Sequence, residues 1–176
     1  MTSKGYKMIL EAARAAGLTD DPGAKPSRAT PIYDKAERDE VAYVRHGDPV
    51  MEDAFRKARA KLPGFLALAK VPLPGMDGFA VKVALADGCD IEYFWIHPFA
   101  QNGEQFSGRL NNTPSSSALG LQKGDQITFI AHDIVDWTYM ERGAMRGNYT
   151  ARALLKNASQ AEKDAFKRQY GLDGDL

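Results

Sequence analysis

The chain has 176 residues, 44% of them apolar and 26% charged, which suits one globular domain with appendages and excludes a wholly disordered chain. Lys plus Arg and Asp plus Glu both number 23, so the chain lacks the basic excess with which proteins neutralise nucleic acid or anionic lipid. Cys89 is the single cysteine, which rules out an intramolecular disulfide and a thiolate zinc site.

At the N-terminus, Glu11 and Arg14 interrupt a short apolar patch, so it does not read as a signal peptide, and no later run approaches the ~20 residues of a membrane span. Cytoplasmic residence without membrane attachment is expected. Tyr6, Ile9, Leu10, Ala13 and Ala16 repeat at helical spacing, and Gly17 is placed to stop that helix. The Pro-rich stretch that follows reads as a linker, so residues 1–31 are expected to form an N-terminal helix and linker ahead of a single domain at 32–176.

Glu40 to Arg45 is a short β-prone run leading through His46-Gly47 to the clearest helix signal. Asp48 is an N-cap, Pro49 fits the first turn, and Met51, Ala54, Phe55, Ala58 and Leu62 form one apolar stripe. Pro63 is expected to break or kink this helix before Phe65, Leu66, Leu68 and Ala69 add a short apolar turn. Alternation over Phe79, Val81, Val83 and Leu85 predicts a strand, Asp87-Gly88 a tight turn, and Ile91 to Ile96 the return strand, ending at His97-Pro98. Further strands are predicted at Gln105 to Leu110, weakened by Gly108, at Gln126 to Ile130, and over Val135, Trp137 and Tyr139. After Arg142-Gly143 turns the chain, Thr150 is placed to cap a short helix, and Ser159 with Glu162 has capping-box spacing for a last helix ending at Gly171. Helices, then strands joined by short turns, then helices predict an α+β fold. Its mostly antiparallel sheet of five to six strands would curl over the Met51 to Leu62 helix, with helices at both termini.

The acid–base candidates are Asp133, Asp136 and His97, with His132 nearby. Residues three apart on a strand face opposite ways, so the two carboxylates converge only if the Ala131 to Val135 segment is a turn. Otherwise Asp133 caps a turn and Asp136 accepts hydrogen bonds from a neighbouring loop. Three scattered histidines provide no metal-ligand spacing, and no phosphate loop, serine-hydrolase elbow or cofactor motif occurs, so neither metal nor cofactor is expected. Cys89 stands beside Asp90, which raises a thiol's pKa and argues against a nucleophile. Trp95, Trp137, Tyr93, Tyr139 and Tyr149 are either cross-strand core or interface anchors. Their basic neighbours, Arg109 and Arg146, are too few to support base stacking.

From Met51 onward the chain resembles the YegJ-like bacterial family, domain of unknown function 2314. The resemblance rests on Met51-Glu-Asp-Ala-Phe-Arg-Lys-Ala-Arg-Ala-Lys-Leu-Pro63, Phe79-Ala-Val-Lys-Val83, Glu92-Tyr-Phe-Trp95, Phe106-Ser-Gly108 and Leu110-Asn-Asn112. It continues through Gly120-Leu, Lys123-Gly-Asp125, Asp133-Ile-Val-Asp-Trp137 with Tyr139, and Gly147-Asn-Tyr-Thr150. The core of this match spans about 51–155. The resemblance implies a compact α+β domain with no established catalytic set. Some relatives look like immunity or accessory proteins of secreted toxins, which implies a protein partner.

Two functional readings follow. In the first, a non-enzymatic protein-binding module presents Trp95, Trp137, Tyr139 and the Asn111-Asn112 loop, flanked by Asp136, Asn148 and Tyr149. On that reading, Trp137→Ala or Asp136→Ala abolishes capture while the fold survives. In the second, a small-molecule enzyme uses Asp133, Asp136 or His97 as acid or base, with Asn112 or Asn148 orienting substrate in a concave pocket. Nucleic-acid binding ranks third.

Overall fold

In the computed structural model, which describes residues 48–87, 90–114, 119–156 and 158–172, the first described helix begins at the expected cap. Asp48 has extended backbone, and its carboxylate accepts from the N–H groups of Val50 at 2.8 Å and Met51 at 3.3 Å. Helix α1 then runs Pro49–Lys70 and buries Met51, Ala54, Phe55, Ala58, Leu62 and Phe65 along one stripe. The expected N-terminal helix and linker, the Glu40 to Arg45 strand, Gly88, Cys89 and Ser115 to Ser117 lie outside the described residues.

Of the two outcomes expected at Pro63, a break does not occur: α1 runs on to Lys70. Pro63 is exposed, as is Arg59, whose carbonyl loses its donor there and remains open to water. An interior proline costs about 3 kcal/mol. Burying Leu62 and Phe65 on either side returns about 1.5–3 kcal/mol each, so the helix continues.

Six strands follow: β1 Met76–Asp87, β2 Asp90–Asn102, β3 Gln105–Leu110, β4 Gln126–Ile130, β5 Ile134–Glu141 and β6 Ala144–Gly147. Their order is β4-β3-β2-β1-β5-β6, with every neighbouring pair antiparallel. Only the 3-10 turn Ala131–Asp133 separates β4 from β5, although three strands stand between them in the sheet. Four inter-strand steps of ~4.8 Å would separate the two by ~19 Å in a flat sheet. The link from Ile130 to Ile134 reaches at most ~14 Å, so the sheet must curl. Its concave side holds α1, where the Phe65 ring stacks on Trp137 with centroids 4.9 Å apart, and Arg59 donates to the carbonyls of Ile134 and His132.

Strand β2 continues through Pro98 to Asn102 instead of stopping at His97. A register shift between Ile96 and Phe99 absorbs the proline, which has no N–H to give the ladder. Gly108 makes this possible, because a Cβ there would sit 2.7 Å from the Pro98 carbonyl oxygen.

The joint after β6 is equally tight. Gly147 and Asn148 both have positive φ, 72° and 53°, and turn the chain into helix α2, Tyr149–Leu155. A Cβ on Gly147 would lie 2.5 Å from the Trp137 ring. Helix α3, Gln160–Tyr170, closes the described chain; its Phe166 packs with Met145, Leu155 and Leu172, and the Met145 N–H donates to the Gly171 carbonyl at 3.0 Å. Among the described residues, no helix is long and apolar enough to cross a membrane.

Two glycines test this description. Gly147→Ala is expected to lower stability by about 2–4 kcal/mol, since it combines strain at positive φ with overpacking against Trp137. Gly64→Ala, in a helical position with open space around it, is expected to raise stability by about 0.5–1 kcal/mol. Denaturant melts of the two variants should move in opposite directions.

Candidate functional site

Asp136 faces Lys82 across the β1–β5 pair, and Lys82 faces Trp95 across β1–β2, so the three form one row over adjacent strands. Asp136 is fully buried. Its Oδ1 accepts from the N–H groups of Trp137 at 2.8 Å and Tyr149 at 3.1 Å. Oδ2 accepts from the Thr150 N–H at 2.8 Å and the Thr150 hydroxyl at 2.7 Å. The Lys82 ammonium donates to that hydroxyl at 2.8 Å and lies 4.8 Å from the centroid of the Trp95 ring.

This arrangement replaces the expected capping by Thr150. Asn148, at the N-cap position of α2, makes no side-chain capping bond, and the leading N–H groups of the helix are taken by a carboxylate from β5. Burial pushes the Asp136 carboxyl above its ordinary value, against the pull of Lys82 and of the Thr150 and Trp137 donors. Burial likewise lowers Lys82 to about 8, with Asp136 opposing the shift. The lysine side chain keeps partial contact with solvent, but its ammonium is packed deeply among protein atoms, which is the environment that sets the shift.

The other acid–base candidates lie elsewhere. Asp133 accepts from the Ile130 N–H at 2.9 Å within the 3-10 turn, and the exposed His132 ring is 4.0 Å from its carboxylate. His97 Nδ1 is 2.8 Å from the Phe79 carbonyl oxygen; a carbonyl only accepts, so this nitrogen carries the proton. His97 lines a cavity of about 390 Å³ beside Phe79, Pro98 and Phe99, and neither Asp133 nor Asp136 lines it.

The residues expected to form a presented face are also distributed. Asn111 and Asn112 continue the pairing of β2: the Asn111 N–H donates to the Trp95 carbonyl, and the Trp95 N–H donates to Asn112 Oδ1, both at 2.8 Å. Asn148 is buried, with its N–H on the Trp137 carbonyl at 2.8 Å. Trp95 is half-buried beneath Lys82. Trp137 is only 7% exposed, and its indole N–H donates to the Ala58 carbonyl at 2.9 Å. The expectation that Trp137→Ala or Asp136→Ala spares the fold is therefore corrected, because each side chain satisfies or covers groups in the interior.

Trp137, Tyr139 and Tyr149 nevertheless meet at one place, a cavity of about 460 Å³ between α1 and α2. Lys57, Lys61, Arg146, Arg152 and Lys156 stand around it, with Asp53 as the one acidic lining residue among the described residues. Lys57 pairs with Asp53 at 2.7 Å, Arg146 with Glu141 at 2.7 Å, and Arg152 Nε donates to the Gly147 carbonyl at 2.8 Å. Lys57 and then Arg56 hold the Asp53 carboxyl below its ordinary value. The Lys61 ammonium sits 5.5 Å from the centroid of the Tyr149 ring. Motif reading did not gather these cations into one site, because they come from α1, β6 and α2, which lie far apart in the chain. The available signal was the i, i+4 spacing of Lys57 and Lys61. Lys82 also carried one, as a lysine in the apolar run Phe79-Ala-Val-Lys-Val83.

A sequence profile described as an uncharacterized protein conserved in bacteria, DUF2314, matches residues 48–174. The chain belongs to the DUF2314 family. The DUF2314 chain is also 26% identical over 141 residues to a Neisseria meningitidis serogroup B protein described as "Putative ankyrin repeat protein". That alignment covers 76% of this chain and 55% of the relative, so the chain spans about half the relative's length. No solved structure matches this DUF2314 chain.

Asp136→Ala is expected to cost about 3–5 kcal/mol, because it strands the N–H groups of Trp137, Tyr149 and Thr150 and the Thr150 hydroxyl, and leaves the Lys82 charge without its opposing carboxylate. Trp137→Ala should cost a similar amount, about 3–5 kcal/mol, by emptying the space under Phe65. Both are read from denaturant midpoints. Lys82 titrates lower in the folded than in the unfolded chain, so between about 8 and the ordinary 10.5 the unfolded state binds more protons. Its contribution therefore increases stability as pH rises through that window and is constant below it. The stability difference between wild type and Lys82→Met should shift in favour of wild type from pH 8 to pH 10; a flat difference would contradict the shift.

Proposed function

We propose that this DUF2314 chain is a non-enzymatic protein-binding module and that the groove between α1 and α2 is its contact surface. The observation that carries this reading is the groove itself, a concave site with an aromatic floor and a rim of charged side chains. Tyr149, half-buried beneath Lys61, is the aromatic surface the groove offers, and an aromatic side chain ringed by polar residues is a usual composition of binding patches. By contrast, the oxygens of Asp136 are occupied by donors of its own chain, and Asp133 and His97 each engage local backbone. The description of the Neisseria relative as an ankyrin repeat protein agrees with a role in binding, since repeat proteins present extended binding surfaces. An immunity-type or accessory role, in which the groove covers part of a toxin, is the form of binding that the family resemblance implies.

Site-specific photo-crosslinking in bacterial cells tests the reading without disturbing the core. A crosslinking amino acid at Val50, exposed on the groove, should give a discrete adduct with another protein. The same group at Gln126, exposed on β4, should not. Adducts at Gln126 with none at the groove would move the contact surface to another face. No adduct at either position would remove the proposed binding role.

A further inference from the structure

We infer that the groove between α1 and α2 takes an acidic protein segment, whose Asp and Glu carboxylates pair with Lys57, Lys61, Arg152 and Lys156. This inference rests on the binding role proposed above and specifies the chemistry of the partner. Formal charges balance over the whole chain at 23 of each sign, yet among the described residues five basic side chains and one acidic side chain line the groove. The imbalance is local, and it coincides with a concave surface.

The state of each cation supports carboxylate binding. Lys57 and Arg146 already pair with Asp53 and Glu141 of their own chain. Lys61 and Lys156 have no carboxylate partner among the described residues, and both are exposed. They stand on the two helices that wall the groove, Lys61 on α1 and Lys156 at the C-terminal cap of α2. Lys61 is already held over the Tyr149 ring, so the aromatic floor places one cation for an incoming acid. The Lys57–Asp53 pair lies at the surface, where water screens the attraction, so a partner's carboxylate can exchange with Asp53 at little cost.

Other anions fit this site less well. A phosphate favours free backbone N–H groups, but the Tyr149 and Thr150 N–H groups at the start of α2 are occupied by Asp136. Single-stranded nucleic acid stacks bases on open aromatic faces. Trp137 and Tyr139 are no more than 9% exposed, and Lys61 lies over Tyr149. A segment bearing flexible side-chain carboxylates needs neither feature.

The inference is tested with a fluorescein-labelled peptide of alternating Glu and Ser, its Gln-for-Glu counterpart, and single-stranded oligo(dT). The Glu peptide should bind, weaken about tenfold between 50 and 200 mM salt, and outcompete the Gln peptide. The double variant Lys61→Glu, Lys156→Glu replaces two exposed side chains. It should weaken binding at least about tenfold while its circular dichroism spectrum and cooperative melt show that the fold is kept. No binding of the Glu peptide, equal binding of the Gln peptide, or indifference to the double variant would overturn the inference. Tighter binding of oligo(dT) that is lost in the same variant would overturn it in favour of nucleic acid. Crosslinking separates the two levels: a groove adduct whose partner segment lacks acidic residues overturns the acidic inference alone, whereas the absence of groove adducts overturns the groove as the contact surface.

Discussion

The buried carboxylate of Asp136 is the constraint on which the arrangement of the molecule depends. Removing an ionised group from water costs several kcal/mol unless donors replace the lost hydration. Here the donors are supplied by the next residue on β5, by the first two residues of α2 and by the Thr150 hydroxyl, which in turn accepts from Lys82. The charge can be satisfied only if α2 starts directly against β5. That requirement accounts for the local backbone: Gly147 passes against the Trp137 ring, and Asn148 takes a left-handed conformation to turn the chain in a single step.

Placing α2 there has a consequence for the surface. The helix stands beside α1, and the gap between them becomes a groove floored by Trp137, Tyr139 and Tyr149. The same contacts that stabilise the α2 joint bring Arg152 and Lys156 opposite Lys57 and Lys61. A local excess of positive charge thus arises in a chain whose formal net charge is zero. The polar residues that look most chemical in the sequence are used inside the fold, and the charges around the groove are contributed by residues of α1, β6 and α2 with no motif of their own.

Much of the architecture was legible before any coordinates. Asp48 and Pro49 mark the start of α1 through capping chemistry that acts over a few residues, and the apolar spacing of Met51 to Leu62 gives its buried face. Alternation marked the strands. The extent of elements was less legible where tertiary packing outweighs a local preference: α1 runs through Pro63 because Leu62 and Phe65 are buried, and β2 runs through Pro98 because Gly108 yields space opposite. Sequence reading offered two meanings for Trp137 and Asp136, core or presented face. The choice depended on whether Ala58 and Thr150, remote in the chain, came within hydrogen-bonding distance.

By itself, the sequence determined the class of fold, the capped amphipathic helix, the succession of antiparallel strands and the family. These follow from interactions between residues close in the chain, or from periodicities that need no partner to be recognised. Only the tertiary structure decided that Lys82, Trp95 and Asp136 share a row, that a β5 carboxylate caps α2, and that two helices separated by six strands together wall one basic groove. Those outcomes depend on strand register and on the curl imposed by the three-residue link from β4 to β5. Both are properties of the assembled sheet, where one step of register moves a side chain to the opposite face.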